Sequence, residues 1–363
     1  MIKLSDGKIG FREFFSLIVF TIGLKLTDTT PTFLFLSGGN AGWLMPVISC
    51  LFLSIVLVVM FSILKNNPGK GLLDLTFELT GSAGGFLIGF LFFVILLTAT
   101  VLNSRSYVSI VNTMVYQRTP VPVLLLLLLA AACFIASRGL ETIGRVAWLI
   151  FPYAYAIFFV LFFLVWDFID WLHLFPIAGP GIIPLVKESV FHTSVYGEVI
   201  YLLALVPYVR TFADFRKASF IGFGLSIFNI VLAMAVFIAV FDYPAVRDME
   251  YPFQQLTRTA QVGQVISHVE SIFLFFWLMC SVVHFAVYLH LIAFLFARTL
   301  RIKAFKPFVL PFSGLVLLLG LLPENEIVAS LYRDDLIEST SIFYIVLPFI
   351  LWALDKRKRG RVR

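Results

Sequence analysis

The sequence predicts an all-α polytopic membrane protein, one domain of ten transmembrane helices arranged as two inverted five-helix repeats. Three observations carry that prediction. Of its 363 residues 60% are hydrophobic and 13% are charged, where a soluble domain carries about 25% charged residues. The apolar residues run in long continuous stretches, unlike the ~10-residue alternating strands of a membrane barrel. The first and the sixth of these stretches are each interrupted by polar residues, at matching places in the two halves; inverted-repeat transporters place their discontinuous helices in this way.

The spans of the first repeat fall at about 11–36, 42–64, 84–110, 121–137 and 143–166, so that the repeat covers about 11–166. Those of the second fall at about 183–209, 218–241, 270–297, 308–323 and 338–354, covering about 183–354, and residues 355–363 form a basic tail. Five spans per unit is an odd number, so the second copy must be inverted. The longest connection, about 242–269, holds Tyr251-Pro252-Phe253 and a short amphipathic helix to about Ile266. Lys3, Lys8 and Arg12 precede an apolar run without a small-residue cleavage site, which reads as an uncleaved first helix.

Basic residues set the orientation. One set of span ends, the tail included, carries 20 Lys and Arg; the other carries 4, namely Arg118, Arg247, Arg258 and Arg333. Both termini are therefore expected in the cytoplasm. The net charge of +6 is spread over span ends, which argues against nucleic-acid binding. The tail, Asp355 to Arg361, is expected to act as a topology determinant that contacts anionic lipid. Cys50, Cys133 and Cys280 lie inside apolar spans, odd in number and without metal spacing, and read as packing residues.

The first interruption, Lys25-Leu26-Thr27-Asp28-Thr29-Thr30-Pro31, follows an apolar run over 14–24 that covers about half a bilayer. Hydrocarbon tolerates such a group only when it is buried in protein or lines a wet cavity. Gly23, Lys25, Thr27, Asp28 and Thr29 are the ligand candidates here. Lys25 would meet a carboxylate or stand in for a coupling cation, and Asp28 would meet an ammonium; a buried structural ion pair is the plainer alternative. The second interruption, His192-Thr193-Ser194-Val195-Tyr196-Gly197-Glu198, offers hydroxyls on Ser194 and Tyr196, a helix-loosening Gly197 and an acid, Glu198. The plainer role of Glu198 is to partner a base on a neighbouring span.

In five-plus-five architectures the third and eighth helices flank the interrupted pair. The third carries Asn103, Arg105 and Tyr107, and Arg105 suits either a carboxylate or a lipid phosphate. The eighth is entered by His268 and Glu270 and contains His284, Tyr288 and His290. His284 and Tyr288 share a helix face, and histidine titrates near neutrality, although the histidine spacing marks no metal site. No nucleophile elbow, phosphate loop, catalytic carboxylate pair or dinucleotide turn is present, so catalysis and a cofactor are not expected.

Several segments, taken in order, resemble the spore germination receptor B subunits, a permease-like family of endospore-forming bacteria. They are Ser137-Arg138-Gly139-Leu140-Glu141-Thr142-Ile143-Gly144-Arg145 with Phe151-Pro152; Tyr196-Gly197-Glu198 with Val206-Pro207-Tyr208; Tyr251-Pro252-Phe253 with Val262-Gly263; and Lys306-Pro307 with Leu310-Pro311. The family often has an Arg-x-Asp pair after the Ile-Gly signal, where this chain has His268 and Glu270. The resemblance implies the fold of the amino acid–polyamine–organocation superfamily, which is LeuT-like. It implies a role in sensing nutrient germinants in the spore inner membrane, with a larger A subunit and a lipoprotein C subunit as partners. The expected ligand is a small nutrient, an amino acid in the simplest case. A secondary amino-acid transporter, with or without proton coupling, is the alternative on the same fold, and an ion-conducting component is a weaker third.

Overall fold

The computed structural model describes residues 7–260 and 269–360, and every described regular element is helical apart from one isolated β-bridge. Lys3, the Val262-Gly263 signal, His268, the last residues of the expected amphipathic helix, Arg361 and Arg363 lie outside the described residues.

α1 (Phe11–Ile22) starts where the Gly10 amide donates to Glu13 Oε2 at 2.9 Å, so the carboxylate satisfies an amide that the helix leaves unpaired. A 3-10 turn follows over Gly23–Leu26, residues 27–29 bend, and α2 (Thr30–Gly38) resumes with Pro31 in its first turn. A proline there lacks only an amide hydrogen that no helical carbonyl would have taken. A second 3-10 turn, Gly39–Leu44, leads into α3 (Met45–Asn66). α4 (Leu72–Met114) is kinked at Gly81, whose φ of 78° suits a residue without a Cβ. α5 (Val121–Arg138) and α6 (Leu140–Leu164) meet at Gly139, with φ 101°.

A second interrupted segment follows. α7 (Ile182–Phe191) gives way at His192 to a 3-10 turn, then to the short α8 (Glu198–Leu202) and a further 3-10 stretch over Leu203–Tyr208. The axes of Ile182–Phe191 and Thr193–Tyr208 are bent by 51°. α9 (Phe212–Phe241) is capped by Thr211, which accepts the Asp214 amide at 3.0 Å. Two short helices, α10 (Tyr243–Asp248) and α11 (Pro252–Thr259), occupy the long connection where an amphipathic helix was expected. α12 (Val269–Thr299), α13 (Val309–Gly320) and α14 (Glu326–Gly360) complete the chain.

Among the described residues, seven helices are long and apolar enough to cross a membrane, or eight if the bent pair is one span. The sequence predicted ten. The difference has a geometric source: α1 and α13 have 12 residues each, about 18 Å of helix against a hydrocarbon core of ~30 Å. In addition, Thr30–Asn66 is one apolar stretch that holds both α2 and α3.

α1 lies at the centre. Its residues 14–22 are all buried, packed against α9, α6 and α12; the Phe14 and Phe215 rings stack at 5.1 Å. α6 is peripheral and turns Leu149 and Phe163 outwards, as a lipid-facing helix does. The chain before α1 is pinned to the end of the 3-10 stretch that follows α8: Ile9 N donates to Tyr208 O, and Arg210 N to Ile9 O, both at 2.9 Å.

Candidate functional site

The two interruptions face each other, and charged side chains join them. Lys25 Nζ lies 2.9 Å from Glu198 Oε1, with both side chains under 9% exposed. Tyr288 on α12 donates its hydroxyl to the same oxygen at 2.7 Å. Glu198 Oε2 is buried and has no hydrogen bond among the described residues. The sequence suggested Lys25 and Asp28 as one cluster; the structure gives each its own partner. Asp28 Oδ2 pairs with Arg333 of α14 at 2.9 Å, and Oδ1 accepts the Thr30 amide at 2.7 Å. Arg333 also donates to Thr29 Oγ1 at 2.5 Å and to Thr30 Oγ1 at 2.7 Å. Its guanidinium fork is thus spread over three acceptors of the first interruption, a task its five planar donors allow.

Thr27 is held from two further elements. Gln254 of α11 donates to its carbonyl, and Trp277 Nε1 of α12 to its Oγ1, both at 2.8 Å. Tyr107 of α4 stacks between Trp277, at 5.4 Å, and His284, at 5.7 Å, and its hydroxyl reaches Leu24 O at 3.4 Å. His284 Nδ1 sits 3.0 Å from Phe20 O, a carbonyl that the end of α1 leaves over, while its Nε2 has no partner among the described residues. The 3-10 turn therefore exposes backbone groups, and α4, α11 and α12 satisfy them.

The second interruption leans on α14. The Ser194 amide donates to Ser341 Oγ at 2.9 Å, and Ser194 Oγ donates to Ile337 O at 2.6 Å. Gly197 lies so close to Tyr344 that a Cβ would sit 2.8 Å from the ring. The Tyr201 and Tyr344 hydroxyls meet at 2.5 Å. Between the two interruptions is a cavity of about 40 Å3, bounded by Lys25, Asn103, Ser194, Glu198, Tyr201 and Arg333 together with aliphatic side chains of α4 and α14. That volume suits a few water molecules and is too small for an amino acid. A second cavity of about 90 Å3 lies on the other side of the first interruption, mostly apolar, with Gly23, Thr27, Asn229 and Trp277 on its wall.

Comparison with known proteins bears directly on this arrangement. The family model described as spore germination protein, a permease-type family, matches residues 8–327. The chain belongs to that spore germination protein family. Spore germination protein KB of Bacillus subtilis (strain 168) is 25% identical over 360 residues, covering 96% of this chain and 93% of its own. Spore germination protein B2 of the same strain is 22% identical over 376 residues, with 99% of each chain covered. Two solved structures share the fold. Mhp1, a nucleobase-cation-symport-1 family transporter in a closed conformation with bromovinylhydantoin bound, gives a TM-score of 0.65 at 14% identity, covering 92% of this chain and 78% of its own. MhsT in complex with L-phenylalanine gives 0.66 at 12% identity, covering 94% and 88%. This spore germination protein is therefore an all-helical membrane protein similar in fold to the LeuT-type transporters.

Of the residues expected at the site, the structure gathers Lys25, Thr27, Asp28, Thr29, Asn103, Tyr107, Ser194, Gly197, Glu198, His284 and Tyr288 around the two interruptions. Gly23 borders the apolar cavity and approaches Ser226 of α9. Tyr196 is buried with its hydroxyl unpartnered among the described residues. Arg105 is buried but borders neither cavity, and its Nε and one terminal nitrogen have no partner among the described residues. The distinctive segment around Gly139 forms the turn between α5 and α6, where Arg145 pairs with Glu141.

Arg333, Trp277 and Gln254 were missed as site residues. Arg333 precedes the apolar stretch of the last span, and its place in the chain reads as a span end; only the fold brings it 304 residues back to Thr29. A faint signal existed in Arg333-Asp334-Asp335, three charges just ahead of an apolar run.

Proposed function

We propose that this spore germination protein is the solute-sensing subunit of a nutrient germinant receptor. In this reading α1 with α2, and α7 with α8, are the two halves of interrupted first and sixth spans. With α3, α4, α5, α6, α9, α12, α13 and α14 they make ten spans, two inverted sets of five. Both termini face the cytoplasm and the location is the spore inner membrane. The partners are the receptor's A subunit and its lipoprotein C subunit, with anionic lipid at the basic tail.

The observation that carries this reading is the Lys25–Glu198 pair at 2.9 Å, which joins the two interrupted segments beside a small cavity bounded by polar and aliphatic side chains. A zwitterion carries both charges that this pair supplies. Its carboxylate can take over Lys25 and its ammonium Glu198, with Tyr288 and Ser194 close by. Such an exchange separates the two segments while leaving no charge unpaired, which matters because an unpaired buried charge costs several kcal/mol. Only a difference in affinity between closed and separated packings shifts their populations; moving from 1:99 to 99:1 takes about 5.5 kcal/mol. The partner subunits read the shift.

The likeness to Mhp1 and MhsT supports a second reading, a secondary amino-acid transporter. Nutrient-specific germination separates the outcomes. Spores lacking the chain are complemented with wild type, Asp28→Asn or Glu198→Gln, with assembly of the partners checked. Loss of the dose response in the variants supports the receptor reading, and an unchanged response removes both carboxylates from it. Accumulation of the nutrient by vesicles holding this chain alone favours the transporter.

A further inference from the structure

Three side chains that the nutrient response does not use converge from two elements. His192 closes α7 and is buried. Asp334 and Glu338 stand four apart on α14 and so share a face. One ligand atom from each of the three lies within 4.8 Å of the others. No spacing in the sequence announces this group, because His192 and Asp334 are 142 positions apart in the chain.

The state of the histidine sharpens the case. His192 Nδ1 lies 2.9 Å from Glu188 O. A carbonyl only accepts, so Nδ1 carries the hydrogen and Nε2 is the atom turned toward the acidic pair. Nε2 lies 3.5 Å from Asp334 Oδ1 and 3.5 Å from Ser37 Oγ of α2; with Asp334 it makes an ion pair when the ring is protonated and a pair of candidate metal ligands when it is neutral. Asp334 Oδ1 is itself shut off from solvent and has no hydrogen bond among the described residues. A histidine held by its second nitrogen to a backbone carbonyl is also the usual arrangement of a metal-ligating imidazole.

We propose that His192, Asp334 and Glu338 bind one divalent cation of the zinc or manganese class, tying the end of α7 to α14. One imidazole with two carboxylates suits borderline first-row cations and is poor for calcium, which prefers six or more oxygens. Ligands at 2.0–2.2 Å from a tetrahedral centre stand roughly 3.4 Å apart, so the three atoms need only a modest contraction; Ser37 or water completes the shell. The ion fastens the second interruption to the helix that carries Arg333, and so favours the closed packing. That consequence rests on the sensing reading above; the site itself does not.

The test uses the purified full-length chain without a histidine tag, stripped with chelator and titrated with Zn2+ by calorimetry. The expected result is saturable binding of one ion, weakened about tenfold or more by Glu338→Gln and by Asp334→Asn, and unchanged by Asp335→Asn, whose side chain is exposed beside the cluster. Both Glu338 and Asp335 are exposed, so neither substitution disturbs packing. Three results would overturn the proposal: no saturable binding; binding indifferent to Glu338→Gln; or equal weakening by Asp335→Asn, which marks a diffuse acidic surface. In spores, Glu338→Gln should move the nutrient dose response to lower concentration; metal binding lost in the purified variant with an unchanged dose response would overturn the closed-packing consequence while the site itself stands.

Discussion

Lys25 and Glu198 meet at 2.9 Å although they are 173 positions apart in the chain, Lys25 in the 3-10 turn that follows α1 and Glu198 at the start of the short α8. Neither stretch can be rebuilt alone. The cation of one is the counter-charge of the other, and Tyr288 caps the shared oxygen.

Breaking that pair from one side should be worse than removing it whole. Lys25→Met or Glu198→Leu alone leaves a buried charge and should cost about 3–5 kcal/mol. The double variant Lys25→Met with Glu198→Leu should recover a large part of that loss. Thermal unfolding of the purified proteins, compared as a double-mutant cycle, reads the coupling; simple additivity would mean the two charges do not interact.

Arg333 is expected to resist even conservative change. Lysine keeps the charge and loses the fork that reaches Asp28, Thr29 and Thr30 together. Arg333→Lys should lower stability by about 1.5–3 kcal/mol. Combined with Asp28→Asn it should add little further loss. An Arg333→Lys protein that melts like wild type would show that the contacts are incidental.

Trp277→Phe isolates one hydrogen bond. The ring remains on Tyr107 while the donor to Thr27 Oγ1 disappears. The loss should be about 1 kcal/mol, against about 3–5 kcal/mol for Trp277→Ala, which also empties the packing. Equal effects of the two variants would assign the role to the ring alone.

Gly197→Ala probes the closeness of the second interruption to α14. The added Cβ meets the Tyr344 ring at 2.8 Å, and overpacking of this kind costs about 1–3 kcal/mol. Gly224→Ala is the control, since nothing lies within 4 Å of its new Cβ and alanine favours helix. The first should lower the melting temperature and the second should hold or raise it.

The start of the chain offers a separate test. Ile9→Pro removes the amide that donates to Tyr208 O. Hydrogen exchange of the amides at residues 209 and 210 should speed up, while exchange within α9 stays as it was.

Much of this was legible in the sequence, for identifiable reasons. Lys25, Asp28, Pro31 and Glu198 are conspicuous because hydrocarbon makes any polar group in an apolar run costly, so their positions mark the interruptions directly. Tyr107 and His284 stand beside the first interruption and Tyr288 reaches Glu198, on the two apolar stretches that a five-plus-five arrangement places next to the interrupted pair. Partner choice did not follow. Lys25 and Asp28 are three apart and read naturally as neighbours, yet the 3-10 turn and the bend at residues 27–29 send them to different helices. Arg333 and Gln254 sit in stretches polar enough to pass for span ends or connections, and hydropathy carries no information on what folds back. Helix lengths were equally opaque, since α1 stops at Ile22 where backbone geometry, not hydrophobicity, ends it. The same limit hid His192, Asp334 and Glu338, whose meeting depends on how α7 packs on α14.

In the proposed mechanism a small zwitterion takes the place of the Lys25–Glu198 pair. Equilibrium binding of a panel of L-amino acids to the purified full-length protein is the decisive measurement. Saturable binding of at least one amino acid is expected, abolished by Glu198→Gln and by Lys25→Met while the variants remain folded. Binding that is unchanged in both variants, or absent across the whole panel, would contradict it.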